Sequence, residues 1–328
     1  MLHVAMLSKW HVHADGYAKK IRNSGKAELT AVWDDDSERG AKWAKELGCD
    51  FVADIDELLA RSDVDAVICD APTTAHEEIL TKAARAGKHI FTEKALAPTM
   101  EECIRLKKEI EQAGVTFVIS FPQRGRPSVQ FAKKMIAEGQ FGKITLVRVR
   151  DAHSGVSDNW LPGYWFDKDD AAGGAMMDLG CHPMYLLAYF CGAPLRVSAM
   201  FTAPFGKPVD ENAAAIAEFP GGVIGIAETS FDSYASPQTI EIYGTDATLI
   251  AHGDDDVRFA SKRMRSVVNG FVKPTLPAPK PEPILQFLDA CINGTGSPDG
   301  LGIDDALALT ELLENAYLSN ENNSIIVC

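Results

Sequence analysis

Two side chains able to transfer a proton, Asp178 and His182, lie four residues apart, and Asp178 comes four residues after the pair Gly173-Gly174. If residues 177–187 form a helix, the carboxylate and the imidazole lie on one face, where the carboxylate can hold the imidazole or bind a neighbouring hydroxyl. The paired glycines would let the backbone approach a ligand closely. A single buried histidine is more often structural, so the Asp-His spacing is what favours acid-base chemistry here.

A lysine, Lys94, follows the predicted strand at residues 89–92. Ligands of open α/β sheets bind at the carboxyl ends of the strands, so this ammonium is placed to bond an oxygen that gains negative charge during a reaction. The alternative is a surface ion pair between Glu93 and Lys94.

The first apolar run, residues 2–7, leads into a helical segment, as in domains that bind a dinucleotide pyrophosphate at a helix N-terminus. The expected glycines of G-x-G-x-x-G are replaced by Ser8, Trp10 and His13. We therefore expect a wider turn, with Ser8, Trp10 and His11 near the cofactor and Ser8 available to cap the helix. The alternative is a plain βα turn.

The second run, residues 29–33, ends at Asp34, where a carboxylate can accept the ribose hydroxyls of NAD. Asp35 and Asp36 follow at once, and three adjacent carboxylates would repel a 2′-phosphate. NAD is therefore predicted in preference to NADP. The alternative is that Asp34 only ends a strand.

A loop rich in aromatic residues precedes the glycine pair and contains His153, Trp160 and Trp165. Aromatic faces stack on the C–H faces of sugars and an imidazole can bond hydroxyls, so this loop is a candidate substrate wall. Anchoring of the aromatic side chains in the core is an equally good interpretation.

A metal site is not predicted. His11-Val12-His13, even together with His153, His182 and Asp178, lacks the spacing of a zinc ligand set. A serine or cysteine nucleophile is also not predicted, because G-x-S-x-G is absent from the sequence.

Residues 1–120 alternate short β-type runs with amphipathic, capped segments, which predicts a doubly wound parallel sheet of the α/β class. Capping boxes are predicted at Thr74–Glu77 and Thr99–Glu102. The β-type runs lie at residues 2–7, 29–33, 66–69, 89–92 and 116–120.

After Pro122 the pattern changes to a helix near 128–138 followed by runs joined by tight turns, which predicts an α+β domain on a mostly antiparallel sheet. We expect two domains, residues 1–122 for the dinucleotide and 123–328 for the substrate. A proline-rich arm precedes two closing helices, near 284–292 and 305–319. The runs lie at 144–150, 197–202, 213–219, 223–230, 239–243 and 247–251.

Composition restricts the partners of this chain. Its 328 residues carry a net charge of −14 and no strong basic patch, so neither nucleic acid nor an anionic membrane surface is an expected partner. The basic cluster at residues 262–265 follows an acidic run and is interpreted as a solvated loop. Seven cysteines without C-x-x-C, and no apolar stretch near 18 residues, favour a cytoplasmic location.

Several segments, in order along the whole chain, resemble the glucose-fructose oxidoreductase and inositol dehydrogenase family, Gfo/Idh/MocA. Residues 69–76 are similar to the family's x-P-x-x-x-H loop, and Glu93-Lys94 matches its next landmark, with Ala95 where proline is usual. Arg124 matches the arginine after the last nucleotide-domain strand. Residues 173–182 resemble the G-G-x-x-x-D-x-G-x-H segment.

The resemblance implies an oxidoreductase acting with NAD(P) on a sugar, polyol or related carbohydrate, a Rossmann domain followed by an open-sheet domain, and a homodimer or homotetramer formed through that sheet. It implies that His182 is the base, Lys94 the oxyanion partner and Asp178 the orienting carboxylate. It further implies cofactor contacts from Pro72, Thr73, His76, Glu93 and Lys94, with Asp35 beside Asp34, and substrate contacts from Lys94, Arg124, Asp178 and His182.

Two other functions remain open at this stage. One is an oxidoreductive glycosidase or lyase, in which transient oxidation acidifies a neighbouring C–H bond and NAD is regenerated. The other is a dinucleotide or sugar sensor without catalysis, which the missing glycines suggest.

Overall fold

A computed structural model describes residues 1–264 and 269–328. The chain forms two compact units. The first comprises Met1–Phe121 and Pro281–Thr310, and the second comprises Pro122–Lys280 and Glu311–Cys328.

The first unit contains a six-stranded sheet in which every strand pair is parallel. The spatial order β3-β2-β1-β4-β5-β6 is that of a dinucleotide-binding doubly wound sheet. The inner strand β4 is buried along its whole length, because helices cover both faces of such a sheet. The strands are β1 (Leu2–Leu7), β2 (Ala27–Trp33), β3 (Asp50–Phe51), β4 (Ala66–Cys69), β5 (His89–Thr92) and β6 (Phe117–Ile119).

Five helices alternate with these strands: α1 (Ala14–Ser24), α2 (Ser37–Leu47), α3 (Ile55–Leu59), α4 (His76–Arg85) and α5 (Met100–Ala113). The capping box predicted at Thr99 and Glu102 is present at the start of α5. The one predicted at Thr74 is wrong. Thr74 lies inside a short 3₁₀ turn, Thr73–Ala75, and α4 begins after it without a side-chain cap.

The second unit is built on an eight-stranded sheet of order β13-β12-β11-β7-β10-β9-β8-β14. Among the strands that the structure describes, the central pair β7 and β10 is parallel and the other pairs are antiparallel, which agrees with the predicted, mostly antiparallel sheet. The strands are β7 (Ile144–Ala152), β8 (Arg196–Thr202), β9 (Asn212–Phe219), β10 (Val223–Ser230), β11 (Thr239–Gly244), β12 (Ala247–His252), β13 (Asp256–Ser261) and β14 (Ile326–Val327).

The strand β13 was missed by the sequence analysis because its outward positions are polar and follow an acidic run, although Val257 and Phe259 are buried on the inner face. Lys262–Met264 form a 3₁₀ turn after β13. Arg265, the last residue of the basic cluster, lies outside the described residues.

The helices of the second unit include α6 (Pro127–Ala137), α7 (Lys168–Ala171), α8 (Ala175–Asp178) and α9 (Cys181–Cys191). The single helix expected over 177–187 is therefore wrong. Asp178 ends α8, whereas His182 lies in the first turn of α9, and the two helices are separated by Leu179 and Gly180.

Two helices close the chain, α10 (Pro283–Asn293) and α11 (Ile303–Asn322). The predicted boundary places both helices in the second domain, but α10 and the start of α11 belong to the first unit, and α11 enters the second unit at Glu311. The physical reason is the apolar face of α10, where Ile284, Phe287 and Leu288 are buried and the Phe287 ring lies 5.8 Å from that of Phe91 in β5. In the part of the chain that is described, we find no helix long and apolar enough to span a membrane.

Candidate functional site

Four polar residues directly follow strands of the first sheet: Ser8 after β1, Asp34 after β2, Asp70 after β4 and Glu93 after β5. Since these strands are parallel, all four residues lie at the same carboxyl edge. The chain order reverses between β1 and β4, and ligands of doubly wound sheets bind at such a switch point. The fold thus places the predicted cofactor residues at the edge where a cofactor is expected.

The turn after β1 keeps a glycine-like shape without glycine. Ser8 adopts a left-handed φ of 67°, and its hydroxyl donates to Asp35 at 2.8 Å and accepts from the Trp10 N–H at 3.2 Å. Ser8 does not cap α1, whose N-cap is His13. The Trp10 side chain in this turn is buried, with 5% of it exposed.

Asp34 is buried and forms an ion pair with Arg39, which lies in α2. The Arg39 Nε lies 3.0 Å from Oδ2 and its Nη2 lies 2.5 Å from Oδ1, while Nη2 also lies 2.9 Å from Asp35 Oδ1. Burial raises the pKa of Asp34 although Arg39 and the Asp36 N–H oppose it. Asp36 is the N-cap of α2, so its carboxylate serves the helix. Arg39, which no sequence motif indicates, partly neutralises the charge of Asp34 and Asp35.

Glu93 is buried at the centre of a polar cluster. Its Oε1 accepts from Nδ1 of His13 at 2.9 Å and from the hydroxyl of Tyr17, and it lies 4.0 Å from Nδ1 of His11. Burial alone would raise the pKa of Glu93, but attraction to His11 and His13 outweighs it and holds that pKa well below the ordinary range. Tyr17 was missed, although it follows His13 by one helical turn.

Lys94 is 5% exposed and follows Glu93, whose Oε2 accepts the Lys94 backbone N–H at 3.1 Å. The peptide bond between Lys94 and Ala95 is cis. Because both side chains are buried, the alternative of a surface ion pair is wrong.

The loop after β4 carries Pro72, Thr73 and His76. Pro72 precedes the 3₁₀ turn and Thr73 is buried within it. His76 lies with Nε2 at 3.0 Å from the carbonyl of Ala71 and Nδ1 at 3.0 Å from that of Ala95. This imidazole therefore lies between the loop after β4 and the loop after β5, in contact with the backbone of both.

In the second unit, Gly173 and Gly174 pack closely against Asp210 and Tyr317. A Cβ at Gly174 would overlap the Asp210 carbonyl oxygen, and one at Gly173 would overlap the Tyr317 hydroxyl. The Asp210 carboxylate accepts the N–H groups of Gly174 at 2.9 Å and Met176 at 2.7 Å. The glycines are thus required by protein packing, and Asp210 and Tyr317 hold the start of α8, which leads to Asp178.

His182 is buried, and its Nδ1 lies 2.9 Å from the hydroxyl of Tyr185, one turn later in α9. The Tyr185 hydroxyl also accepts the Gln123 backbone N–H at 3.1 Å. Burial raises the pKa of Tyr185 well above its usual range, so this hydroxyl stays protonated. When Nδ1 donates to the tyrosine oxygen, Nε2 carries the lone pair that a base requires.

The Asp178 carboxylate accepts the Trp165 indole N–H at 3.1 Å. Trp165 and the neighbouring Phe166 are buried, so these two aromatic residues anchor the loop in the core. Trp160 is 55% exposed and its ring centroid lies 4.7 Å from that of His153. Trp165 therefore fits the interpretation as a core anchor, whereas Trp160 and His153 remain candidates for a wall of the substrate site.

Arg124 is buried in a 3₁₀ turn, Pro122–Gly125. Its Nη2 donates to the carbonyl of Tyr185 at 3.2 Å, and its guanidinium lies 4.7 Å from the Tyr189 ring centroid. These contacts hold Arg124 against α9, so it supports the helix that bears His182.

The sheet order and its polar carboxyl edge define a dinucleotide-binding α/β protein with an added open-sheet unit. Residues 11–121 match the model of the oxidoreductase family with an NAD-binding Rossmann fold, and residues 129–250 match that of the Gfo/Idh/MocA C-terminal domain. The chain belongs to the Gfo/Idh/MocA family of oxidoreductases, as its sequence motifs indicated.

Characterised relatives act on sugars and related compounds. The chain is 28% identical over 294 residues to 1,5-anhydro-D-fructose reductase of Ensifer adhaerens. The aligned region covers 88% of this chain and 87% of that protein. It is 38% identical over 118 residues to 2,7-anhydro-N-acetylneuraminate hydratase of Escherichia coli. This aligned region covers 36% of this chain and 31% of that protein.

Among solved structures, levoglucosan dehydrogenase in complex with NADH and levoglucosan superposes with a TM-score of 0.85 at 22% identity. The match covers 99% of both chains and shows a shared fold.

Proposed function

We propose that this protein is an NAD-dependent oxidoreductase that moves a hydride between a secondary hydroxyl of a sugar, polyol or glycoside and the nicotinamide. The observation that carries the proposal is the buried imidazole of His182, held at Nδ1 by the Tyr185 hydroxyl. A ring fixed in this way has Nε2 as its proton-transferring atom. Family membership supports the carbohydrate substrate class.

The carboxyl edge of the first sheet fits a dinucleotide. The Ser8 turn has the left-handed backbone that a glycine would supply, and it leads to the N-terminal end of α1. Asp34 would bind the ribose hydroxyls, and the turn at Ser8, Trp10 and His11 would border the pyrophosphate. NAD, when bound, supplies the acceptor for the hydrogen that leaves the carbinol carbon with its electron pair.

Side chains of the protein then accept the hydroxyl proton and stabilise the negative charge that forms on the substrate oxygen. His182 takes the hydroxyl proton at Nε2, and Tyr185 keeps the imidazole oriented through Nδ1. Lys94 stabilises the oxygen as it becomes negative. Asp178, held by the Trp165 indole, binds a neighbouring hydroxyl and so orients the substrate.

We also propose NAD in preference to NADP. The buried Asp34 carboxylate supports this choice, since it would lie next to a 2′-phosphate. The positive charge of Arg39 would favour the 2′-phosphate of NADP, but its guanidinium forms ion pairs with Asp34 and Asp35.

The test is a spectrophotometric screen of NAD and NADP reduction over inositols, aldoses and glycosides. Lys94→Ala should abolish turnover of the accepted substrate without unfolding the protein. Lys82→Ala is the matched control, because Lys82 pairs with Asp56 and Glu78 on the surface. Near-normal kcat/KM in Lys94→Ala across the accepted sugars would refute the assignment.

A second candidate is a lyase or hydratase reaction with transient oxidation and recycled NAD. Similarity to the hydratase favours this reaction, since the two chains are 38% identical over 118 residues, which is 36% of this chain. The two functions differ in the fate of the cofactor. Net accumulation of NADH in proportion to substrate indicates a dehydrogenase, whereas product formation with a constant NADH level indicates recycling. Binding of NAD without turnover of any compound in the screen would instead indicate a sensor.

We further propose a homodimer or homotetramer formed through the sheet of the second unit. Met200 in β8, Ile216 in β9 and Ile224 in β10 are exposed apolar side chains on neighbouring strands. Such a patch is typical of an interface between subunits. Light scattering that shows a monomer at micromolar concentration would refute this proposal.

A further inference from the structure

A cluster of nitrogen and oxygen ligands lies where the dinucleotide fingerprint has lost its glycines. Nδ1 of His13 is 2.9 Å and Nδ1 of His11 is 4.0 Å from Oε1 of Glu93. His11 and Glu93 are buried, whereas His13 is 48% exposed. One ligand atom from each of the three residues lies within 4.8 Å of the others.

These separations suit a small divalent ion. A tetrahedral ion with bonds of about 2.0–2.1 Å holds its ligand atoms roughly 3.3 Å apart. The distances of 2.9 and 4.0 Å lie on either side of that value, so small side-chain rotations suffice. The exposed side of His13 leaves an open position for water or another oxygen ligand.

The charge of the surroundings also favours a cation. Asp70 follows β4 at the same sheet edge and is fully buried, and among the described residues neither of its carboxylate oxygens has a hydrogen-bond partner. Burial, with repulsion from Glu93, raises the pKa of Asp70 well above its usual range, so its carboxylate form is disfavoured unless a cation lies nearby. Buried carboxylates are costly unless a positive charge accompanies them.

We propose that His11, His13 and Glu93 form a binding site for a divalent first-row transition ion, with Zn²⁺ as the representative. Two imidazoles and one carboxylate are a zinc ligand set that keeps an open coordination position. Mg²⁺ prefers an all-oxygen environment and binds here more weakly. None of the three ligands is the proposed base or oxyanion partner, but His11 and Glu93 lie at the sheet edge proposed for NAD, so the metal site is tested without NAD.

Sequence spacing predicts no metal at this place, because His-x-His lacks a third ligand nearby in the chain. The fold supplies that ligand, since Glu93 follows β5 while the histidines follow β1. The turn that lacks the fingerprint glycines therefore also supplies two of the proposed metal ligands, His11 and His13.

The experiment measures Zn²⁺ binding directly. Full-length protein without an affinity tag is treated with a chelator, dialysed and titrated with Zn²⁺ in a calorimeter without NAD. We expect one equivalent to bind with a Kd in the micromolar range or tighter. His13→Ala and Glu93→Gln should each weaken binding at least about tenfold, and Mg²⁺ should bind more weakly than Zn²⁺.

The matched control is His252→Ala, because His252 forms a similar pair with Asp256 at 3.1 Å but has no place in the cluster. This variant should bind Zn²⁺ like the original protein. His13 is half exposed, so its replacement should leave the fold intact, and circular dichroism checks this. Equal Zn²⁺ binding by His13→Ala and the original protein, or no Zn²⁺ binding by the original protein, would overturn the proposal.

Discussion

The hydroxyl oxygen of Tyr185 lies 2.9 Å from Nδ1 of His182, one helical turn earlier in α9. The two residues therefore behave as a unit, since the position of the imidazole depends on a hydroxyl that is itself fixed by the Gln123 backbone N–H.

Replacing Tyr185 with phenylalanine should keep the ring packing and remove that hydroxyl. We expect kcat to fall about tenfold or more with little change in KM, because the imidazole loses its orientation while substrate contacts stay. Steady-state kinetics on the substrate found in the screen measures this. Tyr189→Phe is the control, since Lys133 and Arg124 contact the ring of Tyr189, which phenylalanine retains. A kcat equal to the original in Tyr185→Phe would contradict the role of the hydroxyl.

Gly174→Ala should destabilise the protein by about 1–3 kcal/mol, because its Cβ would overlap the Asp210 carbonyl oxygen. Urea unfolding followed by circular dichroism gives the free energy of unfolding. Gly163→Ala is the matched control, since a Cβ there meets no atom within 4 Å, and it should change stability by less than about 0.5 kcal/mol. Equal stability of the two variants would show that Gly174 is not required by packing.

Cofactor preference should depend on the pair Asp34 and Arg39. Asp34→Ala removes the carboxylate that occupies the guanidinium, so the ratio of kcat/KM for NAD to that for NADP should fall about tenfold or more. Arg39→Ala should raise the same ratio. Arg61→Ala serves as control, because Arg61 pairs with Asp50 and Asp63 elsewhere on the first unit. The account of cofactor choice fails if Asp34→Ala leaves the ratio unchanged.

Much of the fold follows from local sequence. The apolar runs predict β1, β4 and β5 because strands buried on both faces need little else. Asp34 directly follows β2, as the apolar run before it indicates. The capping box at Thr99 formed, but the one at Thr74 did not, since the loop after β4 uses a 3₁₀ turn instead.

Contacts between distant parts of the chain could not be predicted. Tyr17 binds Glu93 across 76 positions, and Tyr317 binds Asp210 across 107. Neither residue belongs to a local motif, and only the tertiary fold brings each pair together. The same holds for α10, whose apolar face was evident but whose partner in the first unit was not.

Asp232 should make stability depend on pH. Burial, with help from the charge of Glu211, raises the pKa of Asp232 to about 6. A carboxyl with a raised pKa in the folded state stabilises the protein below its unfolded pKa, near 4, and that contribution is lost as pH rises through about 6.

Asp232→Asn should therefore be more stable than the original protein at about pH 8, by about 1 kcal/mol after allowance for solvent screening. The difference should disappear below about pH 4. Urea titrations across this range provide the measurement, with the exposed Asp158→Asn as control. A constant difference at all pH values would exclude ionisation of Asp232 as the cause.

In the proposed reaction, a hydride moves from a substrate carbon to NAD. The most direct measurement uses the accepted sugar or polyol deuterated at the carbinol carbon, followed by mass spectrometry of the nicotinamide product. We expect one deuterium in each NADH formed, and loss of this product in Lys94→Ala. Turnover of the deuterated compound with no deuterium in the cofactor at any time would contradict it.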